Sequence, residues 1–400
     1  MPRRPLVLLL ALCALLAAAP AAHAISQPAL QAKLALEMRR AGPLAGAYVR
    51  DLTTGRVLYA RSQDVARMPA SVEKLYTTST VLLRMGPDET LRTSVLGAGS
   101  LGPDGTWHGD LYLHGGGDPT LGSPGIDALA RSLADQAGVA RVDGSVLGDE
   151  SLFDPLRGSA RTGFAFDRDV GGLLGALTVG RGFAPDGRPA AAAARRLAHA
   201  LRDDGVRVAG RTGTGAAPAQ APELAGLASP PVRELIRLTN APSDNYLAET
   251  LLKELGARFG GAGTTVAGAA VVRAQLAGLG LHPRLVDGSG LARADRTTPR
   301  QVVRLLELMH VHPLGPVFED SLAVAGRTGT LDRRLRGSPA QDRCRAKTGT
   351  LVDVSTLAGL CQAAGGHVVA FAILMQTRAT TRAHRLQDHM ATAIARFDGP

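Results

Sequence analysis

Aromatic residues are scarce: one Trp, five Tyr and eight Phe in 400 residues. Apolar content is nevertheless 45%, supplied mainly by Ala, Leu and Val, so the core must be aliphatic. Lysine is scarcer still. Of 45 basic residues only Lys33, Lys74, Lys253 and Lys347 are lysines, and the rest are arginines. A guanidinium does not deprotonate in proteins, whereas a buried ammonium can. A lysine kept in such a chain is therefore a candidate for proton transfer, although Lys33 and Lys253 read as ordinary helix-surface residues. The net charge of +10 is spread over single arginines and short pairs such as Arg195-Arg196 and Arg333-Arg334. No basic run is interleaved with aromatics, which argues against nucleic-acid binding. The ten histidines form no H-E-x-x-H pattern and have no acidic cluster beside them. No metal and no cofactor is expected on that pattern.

Long apolar runs are also missing beyond the N-terminus. Arg3 and Arg4 precede an apolar stretch over residues 6–19, and Ala22-His23-Ala24 follows. A charged start, a short apolar stretch and a small-x-small site describe a signal peptide over residues 1–24, cleaved after Ala24. The stretch is short for a spanning helix, which needs about 20 residues. The expectation is an exported chain, periplasmic or extracellular, with no transmembrane anchor after cleavage. Three cysteines are present, and cleavage removes Cys13. Cys344 and Cys361 remain on either side of a predicted hairpin turn. Export permits a disulfide between them; two free buried thiols are the alternative.

Hydrophobic periodicity predicts a helix over 28–40, a hairpin over 46–60 and a helix from Ser71 to about residue 83. Residues 87–225 change character. They are rich in Gly and Pro with short apolar runs, and read as an inserted, mostly β domain with a helix over 190–201. Residues 216–222 look like a linker. Helices dominate from residue 232, over 232–239, 244–258, 262–279 and 299–309. Three strands over 343–351, 355–363 and 367–375 follow, then a helix over 380–397. This order gives an α+β fold in which 25–86 and 226–400 form one domain and both chain ends meet in one sheet.

Three short motifs carry chemistry. Ser71-Val72-Glu73-Lys74 opens a helix, where i and i+3 share a face. A serine beside a neutral lysine is a nucleophile with its own base. Ser243-Asp244-Asn245 stands at the mouth of another helix, where Ser and Asp are also good caps. Lys347-Thr348-Gly349-Thr350 lies on a strand, where Gly admits a close approach. Read singly, each has a bland explanation: a surface pair, a cap, a bulge. Their order, Ser-x-x-Lys, Ser-x-Asn, Lys-Thr-Gly, is the set described for serine β-lactamases and penicillin-binding proteins. Two of the four lysines fill it.

The chain resembles the class C low-molecular-mass penicillin-binding proteins, a D-alanyl-D-alanine carboxypeptidase/endopeptidase family. Gly115-Gly-Gly-Asp118-Pro-Thr-Leu121, the segment Gly148 to Asp154, and Asp287-Gly-Ser-Gly-Leu291 also resemble that family. The resemblance implies a transpeptidase-like fold, an antiparallel sheet flanked by helices with a domain inserted between the first and second motifs. It implies peptidoglycan stem peptides ending in D-Ala-D-Ala as substrate, and β-lactam antibiotics as covalent inhibitors. Ser71 would be the nucleophile, Lys74 the base, Ser243 a proton relay and Asn245 an orienting group. Lys347, Thr348, Gly349 and Thr350 would be the substrate-binding segment, with Lys347, Thr348 and Thr350 on the terminal carboxylate and Gly349 letting the substrate approach closely. Asp118, Asp149 and Phe153 are candidates for contacts to the peptide stem, with structural roles as the alternative. The copies Arg211-Thr-Gly-Thr214 and Arg327-Thr-Gly-Thr330 carry Arg for Lys and fall in no convincing strand pair. A serine β-lactamase is one rival, but no Glu-x-x-Leu-Asn segment follows Asn245. A non-catalytic penicillin- or peptidoglycan-binding module is the other.

Overall fold

The computed structural model describes residues 24–399. The expected leader, up to His23, lies outside the described residues. The chain runs α1 (Gln27–Ala41), β1 (Ala45–Asp51), β2 (Val57–Arg61), a 3₁₀ turn (Ala70–Glu73) and α2 (Lys74–Met85). Next come β3 (Arg92–Leu101), β4 (Thr106–His114), α3 (Ser123–Asp135), β5 (Arg141–Val142), β6 (Val146–Asp149), α4 (Pro189–Asp203), β7 (Arg207–Val208), β8 (Thr212–Thr214) and β9 (Glu223–Ala228). The remainder is α5 (Val232–Asn240), α6 (Asn245–Phe259), α7 (Thr265–Gly278), α8 (Pro299–Val311), α9 (Gly315–Asp320), β10 (Ala323–Val324), β11 (Cys344–Leu351), β12 (Val354–Gln362), β13 (Val368–Gln376) and α10 (Thr380–Ala395).

One antiparallel sheet has the order β10-β11-β12-β13-β1-β2. β13 reads as an unbroken apolar run because both its faces are covered. Val369, Phe371, Ile373 and Met375 join Leu30, Leu34 and Met38 of α1 and Met390 and Ile394 of α10. Ala370, Ala372 and Leu374 face the other way, among Leu75 of α2, Leu251 of α6 and Val302 and Leu306 of α8. This is the α+β sandwich expected, and β1 pairs with β13 along its whole length. Cys344 and Cys361 stand opposite each other on β11 and β12 and are disulfide-bonded.

The second sheet has the order β7-β5-β4-β3-β9, with β6 pairing both β4 and β8. Here the structure corrects the sequence reading. β5, β6, β7 and β8 all run parallel to their neighbours. Parallel neighbours need long crossovers, and α3 and α4 provide them, so the region is mixed α/β and not mostly β. Gly122, Pro124 and Gly125 hide α3 in the sequence, although Ile126, Leu129, Ala130 and Leu133 form one buried face. The boundary drawn at 225 falls inside β9, which pairs with β3 up to Ala228. The Arg211 copy of the third motif likewise lies on a strand, β8, paired with β6.

Lys253 is also not a surface residue. Its ammonium is fully buried and donates to Asp154 Oδ1 at 2.6 Å and to Leu156 O at 2.8 Å. This pair ties α6 to the loop after β6. Removing one partner of a buried pair strands the other charge. Asp154→Ala is therefore expected to cost about 3 kcal/mol, read as a shift of the urea midpoint at constant slope. An unchanged midpoint would mean that the ammonium finds water.

Candidate active site

Ser71 lies in the 3₁₀ turn, and α2 starts at Lys74. In a 3₁₀ turn the side chains at i and i+3 eclipse. The spacing thus stacks the two groups: Lys74 Nζ donates to Ser71 Oγ at 3.0 Å. The turn is entered through Ala70 at φ +47, a left-handed backbone uncommon for a residue with a side chain. It is tied to the first sheet by Thr356 Oγ1 of β12, which donates to Pro69 O at 2.8 Å.

The Lys74 ammonium is fully buried and has two more acceptors, Asn245 Oδ1 at 2.6 Å and Ser289 O at 2.7 Å. Asn245 Nδ2 donates in turn to Asp169 O at 2.7 Å, so its amide is fixed at both ends. Burial is the main effect on Lys74 and lowers its pKa to about 8. Glu73, Asp287, Glu249 and Asp244 pull the other way.

The second motif is a cap and a site at once. Asp244 caps α6 by accepting from Leu247 N at 3.0 Å and pairs with Arg181. That places Asn245 at the first turn, facing Lys74. Ser243 precedes the cap at φ +66. Among the described residues its hydroxyl makes no hydrogen bond with Ser71 or Lys74, so the structure brings Asn245 to Lys74 but does not link Ser243 to it.

On β11, Lys347 is fully buried and its Nζ donates to Thr348 O at 2.8 Å. Burial, and then the charge of Lys74, holds its pKa well below the usual lysine value. No carboxylate pairs with it among the described residues, unlike Lys253. Thr348 Oγ1 donates to Thr330 Oγ1 at 2.7 Å, which gives the Arg327 copy a place: it braces the third motif. Gly349 lies against the nucleophile turn. A Cβ there would stand 2.8 Å from Ser71 N, 2.9 Å from Pro69 O and 2.2 Å from Thr356 Oγ1. The close approach this glycine permits is therefore to protein backbone. Thr350 is exposed.

Asn245 and Thr350 line a cleft of about 430 Å³ with Arg161, Asp169, Leu291, Arg293, Leu351 and Val352. Arg161 pairs with Asp167 and Asp169, and Arg293 pairs with Asp353. The weaker candidates lie elsewhere. Asp118 accepts from Thr120 N and Oγ1 in its own turn. Asp149 accepts from His114, Ser151 N and Ala217 N. Burial raises its pKa, but those bonds outweigh it and the net shift is downward. Phe153 is buried and bridges to Gly263. None of the three lines the cleft. Sequence reasoning gave no role to Ser289, Thr330, Arg161, Asp169 and Arg293; Ser289 and Thr330 lie in the quoted segments Asp287–Leu291 and Arg327–Thr330, and the other three lie in none.

Among the described residues no group of three or more His, Cys, Asp or Glu is arranged to hold a metal ion. No helix among them is long and apolar enough to cross a membrane.

Curated relatives agree along most of the chain. A D-alanyl-D-alanine carboxypeptidase from Actinomadura sp. (strain R39) is 31% identical over 90% of this chain and 82% of its own length. Carboxypeptidase DacB from Mycolicibacterium smegmatis is 29% identical over 83% and 76%. Among solved structures, penicillin binding protein 4 from Haemophilus influenzae matches with a TM-score of 0.77 over 92% of this chain and 98% of that one, at 20% identity, which is a likeness of fold. Residues 28–163 and 181–397 match one family along both parts of the chain, and with the serine and lysine motifs assembled as above the chain belongs to the D-Ala-D-Ala carboxypeptidase 3 (S13) family of serine-type peptidases.

Proposed function

We propose that the protein is a serine D-alanyl-D-alanine carboxypeptidase, also open to DD-endopeptidase cleavage, acting on peptidoglycan stem peptides. The observation that carries this reading is Ser71 Oγ held 3.0 Å from a fully buried Lys74 amine. Neutral Lys74 accepts the Oγ proton as Oγ bonds to the carbonyl carbon of the penultimate D-Ala. The C–N bond to the terminal D-Ala breaks, its nitrogen takes a proton, and free D-Ala leaves. Ser243 is the proposed relay for that proton. Water then adds to the ester and frees Ser71. The backbone N–H groups of Ser71 and Thr350 stabilise the oxyanion.

Lys347 receives the substrate's terminal carboxylate, with Thr348 and Thr350 beside it. A buried ammonium with only a carbonyl acceptor is suited to an arriving anion. Asn245 orients Lys74. Asp118, Asp149 and Phe153 hold the second sheet and its loops. A penicillin presents a carboxylate and a reactive carbonyl in the same order, and would leave a covalent adduct on Ser71. The work place is the cell envelope, periplasmic or extracellular. The charged, apolar leader and the Cys344–Cys361 disulfide support export to an oxidising compartment.

The test is intact-mass spectrometry after mixing with benzylpenicillin, peptide mapping of the adduct, and assay of free D-Ala from a D-Ala-D-Ala peptide. A persistent adduct on the Ser71 peptide together with D-Ala release is the expected result. Rapid hydrolysis of the antibiotic without release of D-Ala would make it a β-lactamase. An adduct without D-Ala release would make it a binding module.

A further inference from the structure

Asn245, Glu249 and Lys253 recur every four residues on α6, a polar stripe inside an apolar helix. Only Asn245 and Lys253 have a role so far. Glu249 belongs to a group of four fully buried carboxyls: Glu73, Asp287 and Glu249 act on Lys74, and Asp295 acts with Asp287 and Glu73. Three of them hold the loop that carries Ser289. Glu249 Oε1 accepts from Gly288 N at 3.1 Å and Ser289 N at 2.9 Å. Asp287 accepts from Gly290 N at 2.8 Å and Ala292 N at 2.6 Å. Asp295 Oδ1 accepts from Val286 N at 2.8 Å. Glu73 Oε1 accepts from Thr77 Oγ1 at 3.0 Å. The second oxygens of Glu73, Glu249 and Asp295 are buried with no donor. Burial, and then the neighbouring Asp287, favours the protonated form of Asp295. Four buried carboxylates cannot all ionise beside one ammonium. Both oxygens of Asp287 are met by N–H donors, whereas the open oxygens of Glu73, Glu249 and Asp295 have room for a proton.

We propose that Glu73, Glu249, Asp287 and Asp295 form a proton-sharing positioning cluster, which fixes Lys74 at Ser71 through the Ser289 carbonyl and sets, by its proton load, how easily Lys74 gives up its own proton. This rests on the reading of Lys74 as the base. The other charged or titratable groups that face these residues are Asp244 and Lys347 towards Lys74, Lys253 towards Glu249 and Tyr76 towards Glu73. Burial, then Asp287, raises Glu249 to about 8. Burial, then Asp287 and Glu73, raises Asp295 to about 11. Lys74 and Glu249 thus titrate in one range, as a pair. As Glu249 loses its proton on the alkaline side, its charge holds the proton on Lys74. A protonated Glu249 releases it.

Glu249→Gln mimics the protonated carboxyl: it keeps the acceptor for Gly288 and Ser289 and puts N–H groups at the open oxygen. The experiment is the pH profile of acylation by a chromogenic cephalosporin. The alkaline rise is expected to move down by about one pH unit, with the plateau within about threefold of wild type. A fall in rate at every pH with no shift would show a merely structural role and overturn the proposal. A second pair of variants guards against misfolding. Asp295→Asn keeps a donor towards Asp287 and should acylate within about twofold of wild type, whereas Asp295→Ala should lose about tenfold. Equal behaviour of the two would also overturn it. Failure of the wild type to acylate would instead sink the reading of Ser71 and Lys74.

Discussion

Lys74→Met is expected to lower acylation by benzylpenicillin about 10³-fold while leaving the fold intact. Methionine matches the length of lysine and fills the same buried space, but it cannot accept a proton. General-base contributions are about 10²–10⁴-fold. The wild-type pH profile carries the same argument. Burial holds Lys74 at about 8 against the opposing pull of the acidic groups around it. About a tenth of the molecules then carry a free amine at pH 7, against fewer than one in about 10³ for an unperturbed lysine. A lowered lysine pKa means that base activity is gained as pH rises, so acylation should climb through about pH 8 and level off above it. The check is stopped-flow acylation of both proteins, with circular dichroism to show that the variant is folded. A variant within about tenfold of wild type at pH 7 would remove Lys74 from the base role.

Gly349→Ala should be almost as damaging, although it adds one methyl group far smaller than the cleft. The new Cβ would meet Thr356 Oγ1, Ser71 N and Pro69 O, none at an acceptable distance. Two of these are backbone atoms of the nucleophile turn, which cannot swing away as a long side chain can. The turn must move off β11, and the Thr356–Pro69 hydrogen bond that anchors it must stretch. Misplacement of a reacting group by about 1 Å costs about 10²-fold, and overpacking adds about 1–3 kcal/mol of destabilisation. Acylation rate and thermal midpoint, measured together, separate the two effects. Near-wild-type acylation would show that the two elements can part without consequence.

What was legible in the sequence followed the range of the interactions. Ser71 and Lys74 show themselves because their contact is local, three residues apart. The apolar run of β13 and the helical periodicity of α8 needed no partner to be recognised. Lys253 was misread because a lysine beside leucines looks the same whether it meets water or Asp154, and Asp154 is far off in sequence. Glu249 and Asp295 are hidden for the same reason. Ser289 contributes a backbone carbonyl, which leaves no trace in the choice of side chain. The Arg327 copy gained its meaning only from a Thr330–Thr348 contact between separate elements. Helix α3 was lost to the glycines and proline of its own first turn.

The pairing of β1 with β13 has a consequence for a chain that is made from one end to the other. The strands of the second sheet, Arg92 to Ala228, are continuous in sequence and can pair as soon as they emerge. The first sheet cannot: its middle is made from opposite ends of the chain. Lys347 to Gly349 and the backbone that flanks Ser71 come together only when the last hairpin arrives. A half-made molecule therefore carries its nucleophile without its partners. Strand order alone therefore delays the chemistry until the last strands of the first sheet have paired.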